Sequence, residues 1–521
     1  MARWHTAVLV GALALYLVAA GRLGRLEAGG PPHMDVLLEG GVPATLYLPG
    51  AEVELPWLLE PPPMGERPPG LVLAHGFASD RGIVSVLARR LARNGVAVLT
   101  PDLRGHGANA NPFPGGRGRR DELLDDLEAA VRFLRASPFA DHTRIAVAGH
   151  SMGATAALEY ASHDSGLAAV VPICGALPPT GPHPPPDALF VVAERDPELL
   201  RSMTRRVAAR LAGREAVEAG VTYGEQVGGD AVRWVSVAGT NHATVIWAEE
   251  TAREVLAWLD AAFGLERDTP PDLRAPRLAW ASVAALAALA LLPGVGAVAG
   301  RLAPPRAAPS AGGAGLGLAL LAASQLAAMP LVAAGSPARF LGLFVADTLL
   351  WLTATGGLAL LALLALRGRL PRAALGAPAR SLAAAGLALA AVYALVAPLG
   401  VVVHALAPIP SRLPVALGAA ALVFPLLLAA ELLVRRGPPL RAALAGAAAR
   451  GLLLLVWALG VALGAVPGVL AFVLPPFAVV FAAAELVSAP LYARSRDRLA
   501  IAAFQSAWTG LVLAVTFPLT G

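Results

Sequence analysis

The sequence predicts two structural classes in one chain: an α/β unit whose mostly parallel sheet carries helices on both faces, and an all-α polytopic region suited to a membrane. Three observations carry this expectation. Residues 35–270 have an ordinary globular mixture, whereas Ala, Leu, Val and Gly dominate from 278 onward, so the 56% hydrophobic content is unevenly spread. In the first region, short continuous apolar runs alternate with amphipathic stretches, as in parallel strands buried on both faces. In the second, apolar runs of roughly 20 residues recur between arginine-rich connections. The domains expected are therefore an N-terminal segment at 1–25, an α/β domain at 35–265 and a membrane domain at 278–521.

Residues 6–21 are apolar, with Arg3 before them and Arg22 and Arg25 after. They read as a signal anchor or a signal peptide; 18–20 is a weak cleavage candidate, so retention is favoured. Alternating runs such as 44–48 predict antiparallel opening strands, and the prolines from Pro61 to Pro69 a loop. Strands are then expected at 71–74, 96–99, 145–148, 168–173, 188–192 and 232–237, with helices at 84–94, 121–136, 154–160, 197–211 and 248–263. The basic run 117–120 reads as a solvated loop.

Composition removes several chemistries. No lysine occurs and all 41 basic residues are arginine, so there is no Walker A lysine, Schiff-base lysine or Ser-Lys dyad. The lone cysteine, Cys174, excludes an intrachain disulfide and a Cys-based metal cluster; it lies in an apolar run and reads as core. No cofactor or metal is expected. The basic pI of about 9.9 reflects arginines between apolar spans and not a nucleic-acid partner.

The chemistry centres on Gly149-His150-Ser151-Met152-Gly153, a G-x-S-x-G between a strand and a helix. That context is the nucleophile elbow, in which a sharp turn projects the serine hydroxyl from the strand end. A serine needs a general base, and His242 follows the last strand; a carboxylate must orient that imidazole, and Asp196 follows the strand at 188–192. Glu194 is the fallback acid. The oxyanion requires backbone donors, for which the N–H groups of Met152 and Phe77 are the candidates. Together His75-Gly76-Phe77, Pro101-Asp102-Leu103-Arg104-Gly105-His106-Gly107, the elbow, Asp196 and His242 resemble the α/β-hydrolase superfamily over residues 35–265, most closely its esterase, lysophospholipase and dienelactone-hydrolase-like branches. The resemblance implies an α/β-hydrolase fold and the chain order Ser, Asp, His. It also implies that His75, His106 and His150 shape loops, as do Asp102 and Arg104. Many relatives insert a helical cap after the strand at 168–173; residues 175–187 are too short and proline-rich for one, so the cap is minimal.

About eight spans are expected: 278–300, 315–334, 340–366, 382–407, 413–434, 452–474, 477–492 and 499–519, the seventh being short. Arginines concentrate in alternate connections (301 and 306; 367, 369, 372 and 380; 435, 436, 441 and 450; 494, 496 and 498), while the intervening ones carry only Arg339 and Arg412. The positive-inside rule then puts the α/β domain outside the cytoplasm. Asp347, set well inside its span, leads the intramembrane polar candidates over Gln325, His404 and Gln505; Glu431 and Glu485 read as partners of nearby arginines. The expectation is a multi-pass cell-membrane serine hydrolase cleaving a small-molecule or lipid ester through an acyl-enzyme on Ser151. Its partners are the substrate and the bilayer, and its oligomeric state is left open. An acyltransferase with the same triad is one alternative, and a transporter or scaffold with an accessory hydrolase-like domain the other.

Overall fold

A computed structural model of the chain describes residues 2–50, 63, 66–114, 119–226, 229–307, 309–310, 312–335, 340–368, 370, 377–400, 402 and 410–520. His404, the arginines at 117, 118, 339, 369 and 372, and Pro61 and Pro62 lie outside the described residues. Among the described residues, 22–280, 400, 402 and 518–520 form one compact unit, and 2–21, 281–399 and 410–517 the other.

The first unit is built on nine strands: β1 (His33–Leu37), β2 (Pro43–Tyr47), β3 (Pro69–Ala74), β4 (Ala97–Pro101), β5 (Asp141–His150), β6 (Ala169–Ile173), β7 (Ala188–Ala193), β8 (Thr222–Tyr223) and β9 (Val232–Val237). Their order is β1-β2-β4-β3-β5-β6-β7-β9-β8. The six from β4 to β9 in that order run parallel; β1, β2 and β8 pair antiparallel at the edges. The mostly parallel sheet foreseen from the sequence is therefore present. The two-residue β8 was not foreseen, being too short to leave a periodic signal.

Among the described residues, five helices lie wholly within this unit: α2 (Ser85–Arg93), α3 (Arg119–Ala136), α4 (Met152–Ala161), α5 (Glu198–Leu211) and α6 (Glu249–Phe263). Alternate strand residues face opposite sides. Leu71, Leu73, Ala146, Ala148, Val171, Ile173, Leu189 and Val191 join Leu87 and Leu91 of α2 and Val255 and Leu259 of α6 in one core cluster. The intervening Val72, Val147, Val170 and Phe190 are equally sealed, at 0% exposure, so both faces are covered. That explains why the strands read as continuous apolar runs instead of alternating ones.

The other helices are α1 (Ala2–Ala28), α7 (Pro276–Leu302), α8 (Ala314–Gly335), α9 (Ala346–Leu366), α10 (Pro378–Val396), α11 (Leu413–Val434), α12 (Pro439–Ala462), α13 (Leu474–Ser495) and α14 (Arg498–Thr516). By length and composition, nine helices among the described residues can cross a membrane, α1 and these eight. Within the second unit, Tyr16 of α1 donates its hydroxyl to the carbonyls of Ala394 and Leu395, at 3.1 and 2.9 Å, near the end of α10.

Several span limits shift from the sequence reading, for identifiable reasons. The sixth helix is α12 at Pro439–Ala462, beginning 13 residues before the expected 452. It contains Arg441 and Arg450, which a hydropathy reading assigns to a loop. Arg450 is buried because Glu431 accepts from it at 2.5 Å and Gln505 accepts from it as well. Arg435 is likewise internal, donating to Glu431 and, at 2.7 and 2.6 Å, to Glu485. Paired in this way, the charges avoid the cost of an isolated ion in an apolar bundle. The seventh helix is a full 22 residues. The third starts at Ala346, so Asp347 lies in its first turn and not well inside the span. There its Oδ2 accepts the amides of Leu341 and Gly342 at 3.0 and 3.1 Å, which fixes the helix entry. Arg412 closes the opposite kind of end: its guanidinium donates to the carbonyls of Ala514 and Phe517 at the C-terminus of α14.

Candidate active site

Ser151 sits between β5 and α4 with φ 55° and ψ −110°. That is left-handed backbone at a residue other than glycine, a strained conformation held by its surroundings. Its N–H is tied to the carbonyl of Ile173 at 2.8 Å. The flanking glycines serve clearance, since the positive φ falls on the serine itself. A Cβ on Gly149 would stand 2.2 Å from the Gly153 carbonyl oxygen, and one on Gly153 would stand 2.5 Å from that of His75. Backbone cannot yield as a side chain does. Gly153→Ala is therefore expected to cost about 3 kcal/mol, read as a lower melting temperature and a lower yield of folded protein.

His242 follows β9 and Asp196 follows β7, so all three groups lie beyond the carboxyl ends of parallel strands, where ligands bind in such sheets. The Asp196 Oδ1 accepts from His242 Nδ1 at 2.8 Å, and His242 Nε2 faces Ser151 Oγ at 3.0 Å. With Nδ1 carrying the proton, Nε2 is left to accept the serine hydroxyl. Asp196 is buried, with its side chain 1% exposed, while that of His242 is 20% exposed. The structure thus brings Ser151, His242 and Asp196 into one hydrogen-bonded line. Glu194 is not part of it; its Oε2 accepts the Gly239 N–H at 2.8 Å and braces the loop before His242.

Met152 is the first residue of α4, so its N–H is among those that the helix leaves unpaired internally. Phe77 follows β3 in a loop pressed against the serine: a Cβ on the neighbouring Gly76 would lie 3.2 Å from Ser151 Cβ. The Phe77 ring packs with His106 and Phe113, at centroid distances of 5.9 and 6.1 Å.

The remaining histidines hold loops. His75 accepts the Leu103 N–H at 3.0 Å and donates to the Gly76 carbonyl at 2.8 Å. His106 accepts from Ala78 N–H at 3.3 Å and donates to the Arg104 carbonyl at 3.0 Å. His150 is fully enclosed and donates from Nε2 to the His242 carbonyl at 2.7 Å. Burial, with the neighbouring His242, pushes its pKa down to about 3, so it stays neutral. Asp102 accepts from Arg81 N, Arg81 Nη1 and Ala108 N at 2.9, 2.6 and 2.9 Å, binding the loops after β3 and β4 together. Burial raises its pKa, an effect that Arg81 opposes. Arg104 is anchored on Asp126 of α3.

Two features escaped the sequence reading. Residues 518–520 return to this unit, where Leu519 accepts from Phe113 N at 2.6 Å and donates to the Gly105 carbonyl at 2.8 Å. Cys174, a core residue, stands beside the site: its Sγ, an Asp196 oxygen and a His242 nitrogen all lie within 4.8 Å of one another. This trio is a poor metal cradle. Asp196 and His242 are engaged with each other, and burial, reinforced by Asp196, holds the thiol well above its usual pKa, whereas a metal binds thiolate. Between β6 and β7 the described residues contain no helix; the connection is pinned to α4 through Thr180 N–H on Glu159 and His183 N–H on the Ser162 carbonyl.

Residues 67–219 match the family described as serine aminopeptidase, S33. An uncharacterized protein of Mycobacterium tuberculosis is 35% identical over 97 residues, which is 19% of this chain and 33% of the relative, so the match spans about a third of that relative's length. Among solved structures, a Pyrobaculum calidifontis esterase aligns at 20% identity over 50% of this chain and 92% of its own, with TM-score 0.31. A Mycobacterium tuberculosis puromycin-hydrolyzing peptidase aligns at 18% identity over 46% and 40%, with TM-score 0.33. The family match over 67–219, together with the sheet order and the strand-turn-helix at Ser151, gives the first unit an α/β-hydrolase fold of serine-hydrolase-like form.

Proposed function

We propose that the protein is a membrane-embedded serine hydrolase that cleaves carboxylic esters through an acyl-enzyme on Ser151. The observation that carries this reading is the hydrogen-bonded line from Asp196 through His242 to Ser151. Ser151 Oγ attacks the ester carbonyl carbon while its proton passes to His242 Nε2. The resulting oxyanion is met by the N–H groups of Met152 and Phe77, and the Asp196 carboxylate stabilises the imidazolium. Collapse expels the alcohol, which takes the proton from His242. Water then attacks the acyl carbon, gives its proton to the same nitrogen, and the acid leaves as Ser151 is regenerated.

A short connection in place of a helical cap and, among the described residues, nine membrane-length helices support an amphiphilic or lipid acyl substrate. The arginine asymmetry of the connections supports a hydrolase unit on the extracytoplasmic side. The fit of Tyr16 against α10 supports an N-terminal helix retained as an anchor. The family description favours a second reading, hydrolysis of an amide with a free amino terminus by the same triad. The test is labelling of the detergent-solubilised full-length protein with a fluorophosphonate, followed by turnover of p-nitrophenyl esters and aminoacyl p-nitroanilides. Labelling abolished by Ser151→Ala, with esters preferred, supports the proposal; preference for the anilides selects the second reading. An unlabelled, well-folded wild type removes both.

A further inference from the structure

We infer that Arg89, Arg93 and Arg277 form a binding site for a phosphate-class oxyanion, separate from Ser151 and its partners. A cavity of about 290 Å³ opens where Leu26, Gly30, Val86, Arg89, Arg93 and Arg277 converge. Arg89 rises from α2 and is only 5% exposed. Its Nη2 reaches Glu27, and its guanidinium lies 5.2 Å from the Tyr47 ring centroid, which fixes the plane of the fork. Among the described residues its buried Nε and Nη1 find no acceptor.

Among the described residues the local charge is lopsided. Glu27 serves both Arg89 and Arg277. Asp272, an acid on the cavity wall, is bound twice by Arg274, at 2.8 and 2.9 Å, and stands 4.0 Å from Arg93. Leaving two donor nitrogens of a buried guanidinium without acceptors is costly, and a tetrahedral oxyanion is the ligand that a planar fork of donors receives best. Pro276 opens α7 on the same cavity wall, and the N-terminal end of that 27-residue helix adds a favourable dipole.

The place of these residues in the chain limits the sources. Leu26 and Glu27 end α1, and Arg277 begins α7, the two apolar helices that bracket the hydrolase unit in sequence. The end of a membrane-length helix stands at the headgroup level of a bilayer. A lipid phosphate occurs at that level of a bilayer, and a free phosphate or phosphate ester offers the same chemistry.

The experiment is native mass spectrometry and thermal unfolding of the full-length protein in detergent, with phosphatidylglycerol, phosphatidylcholine and inorganic phosphate as separate probes. Wild type is expected to retain phosphatidylglycerol over phosphatidylcholine. Arg89→Gln should weaken that retention about tenfold. Arg93→Gln, at the rim, should weaken it less and serves if Arg89→Gln fails to fold. Glu27→Gln removes the competing carboxylate and should strengthen retention, an effect that a purely structural ion pair would not give. Stabilisation by inorganic phosphate alone, with displacement of the lipid, assigns the site to free phosphate; retention undisturbed by it assigns the headgroup. Equal retention of both lipids without stabilisation by phosphate, or retention unchanged in the folded arginine variants, overturns the inference.

Discussion

Asp196→Asn should lower ester turnover about 10⁴-fold while the protein remains folded. The carboxylate receives the His242 Nδ1 proton at 2.8 Å and thereby leaves Nε2 as a base facing Ser151. An amide in its place can donate to Nδ1, which favours the other tautomer; Nε2 then carries a proton and cannot accept one from the serine. Packing should change little, because Asn matches Asp in shape and the backbone is held independently by Asp196 N–H on the Ala193 carbonyl at 3.2 Å. Turnover and melting temperature measured on the same preparation separate the two effects. Glu194→Gln is the companion variant. Its carboxylate braces Gly239 and makes no contact with the imidazole, so turnover should stay within about threefold of wild type. If Asp196→Asn keeps its activity and Glu194→Gln loses it, the assignment of the acid is wrong.

What the sequence made legible follows from the range of the forces involved. Continuous apolar runs such as 71–74 and 188–192 mark buried parallel strands by themselves, because every residue along them is covered on one face or the other. Ser151, Asp196 and His242 could each be singled out because each follows such a run. That their side chains meet depends on contacts 46 and 91 residues apart in the chain, which spacing alone does not encode. His150 was readable only as part of the elbow. Its bond to the His242 carbonyl crosses 92 residues and leaves no local trace. In the helical unit, hydropathy misplaced α12 because Arg450 is paired with Glu431 and hydrogen-bonded to Gln505, both on other helices. Asp347 deceived in the opposite sense: the apolar residues from 340 to 345 form a turn held by its carboxylate and not a further turn of helix.

The same His150 ring should make the hydrolase unit acid-sensitive. In the folded protein its pKa lies at about 3, against an ordinary value of 6.5, because full burial disfavours the cation and His242 adds to that effect. Above pH 6.5 neither the folded nor the unfolded chain holds a proton there, and the full stability is present. As pH falls from 6.5 toward 3 the unfolded chain takes up a proton that the folded ring refuses, so stability declines by about 1.4 kcal/mol per pH unit and by roughly 3 kcal/mol at pH 4. His150→Gln keeps an N–H donor for the His242 carbonyl but has nothing to titrate. The variant should be less stable than wild type at pH 8, where the ring packing is lost, and should lose less on acidification. Urea midpoints of the full-length protein in detergent, followed by emission of Trp234, Trp247 and Trp258 in the hydrolase unit, give the comparison. Parallel decline of wild type and variant between pH 7 and pH 4 would mean that protonation of His150 is not what destabilises the fold in acid. The acid lability would then have to be sought in the carboxylates.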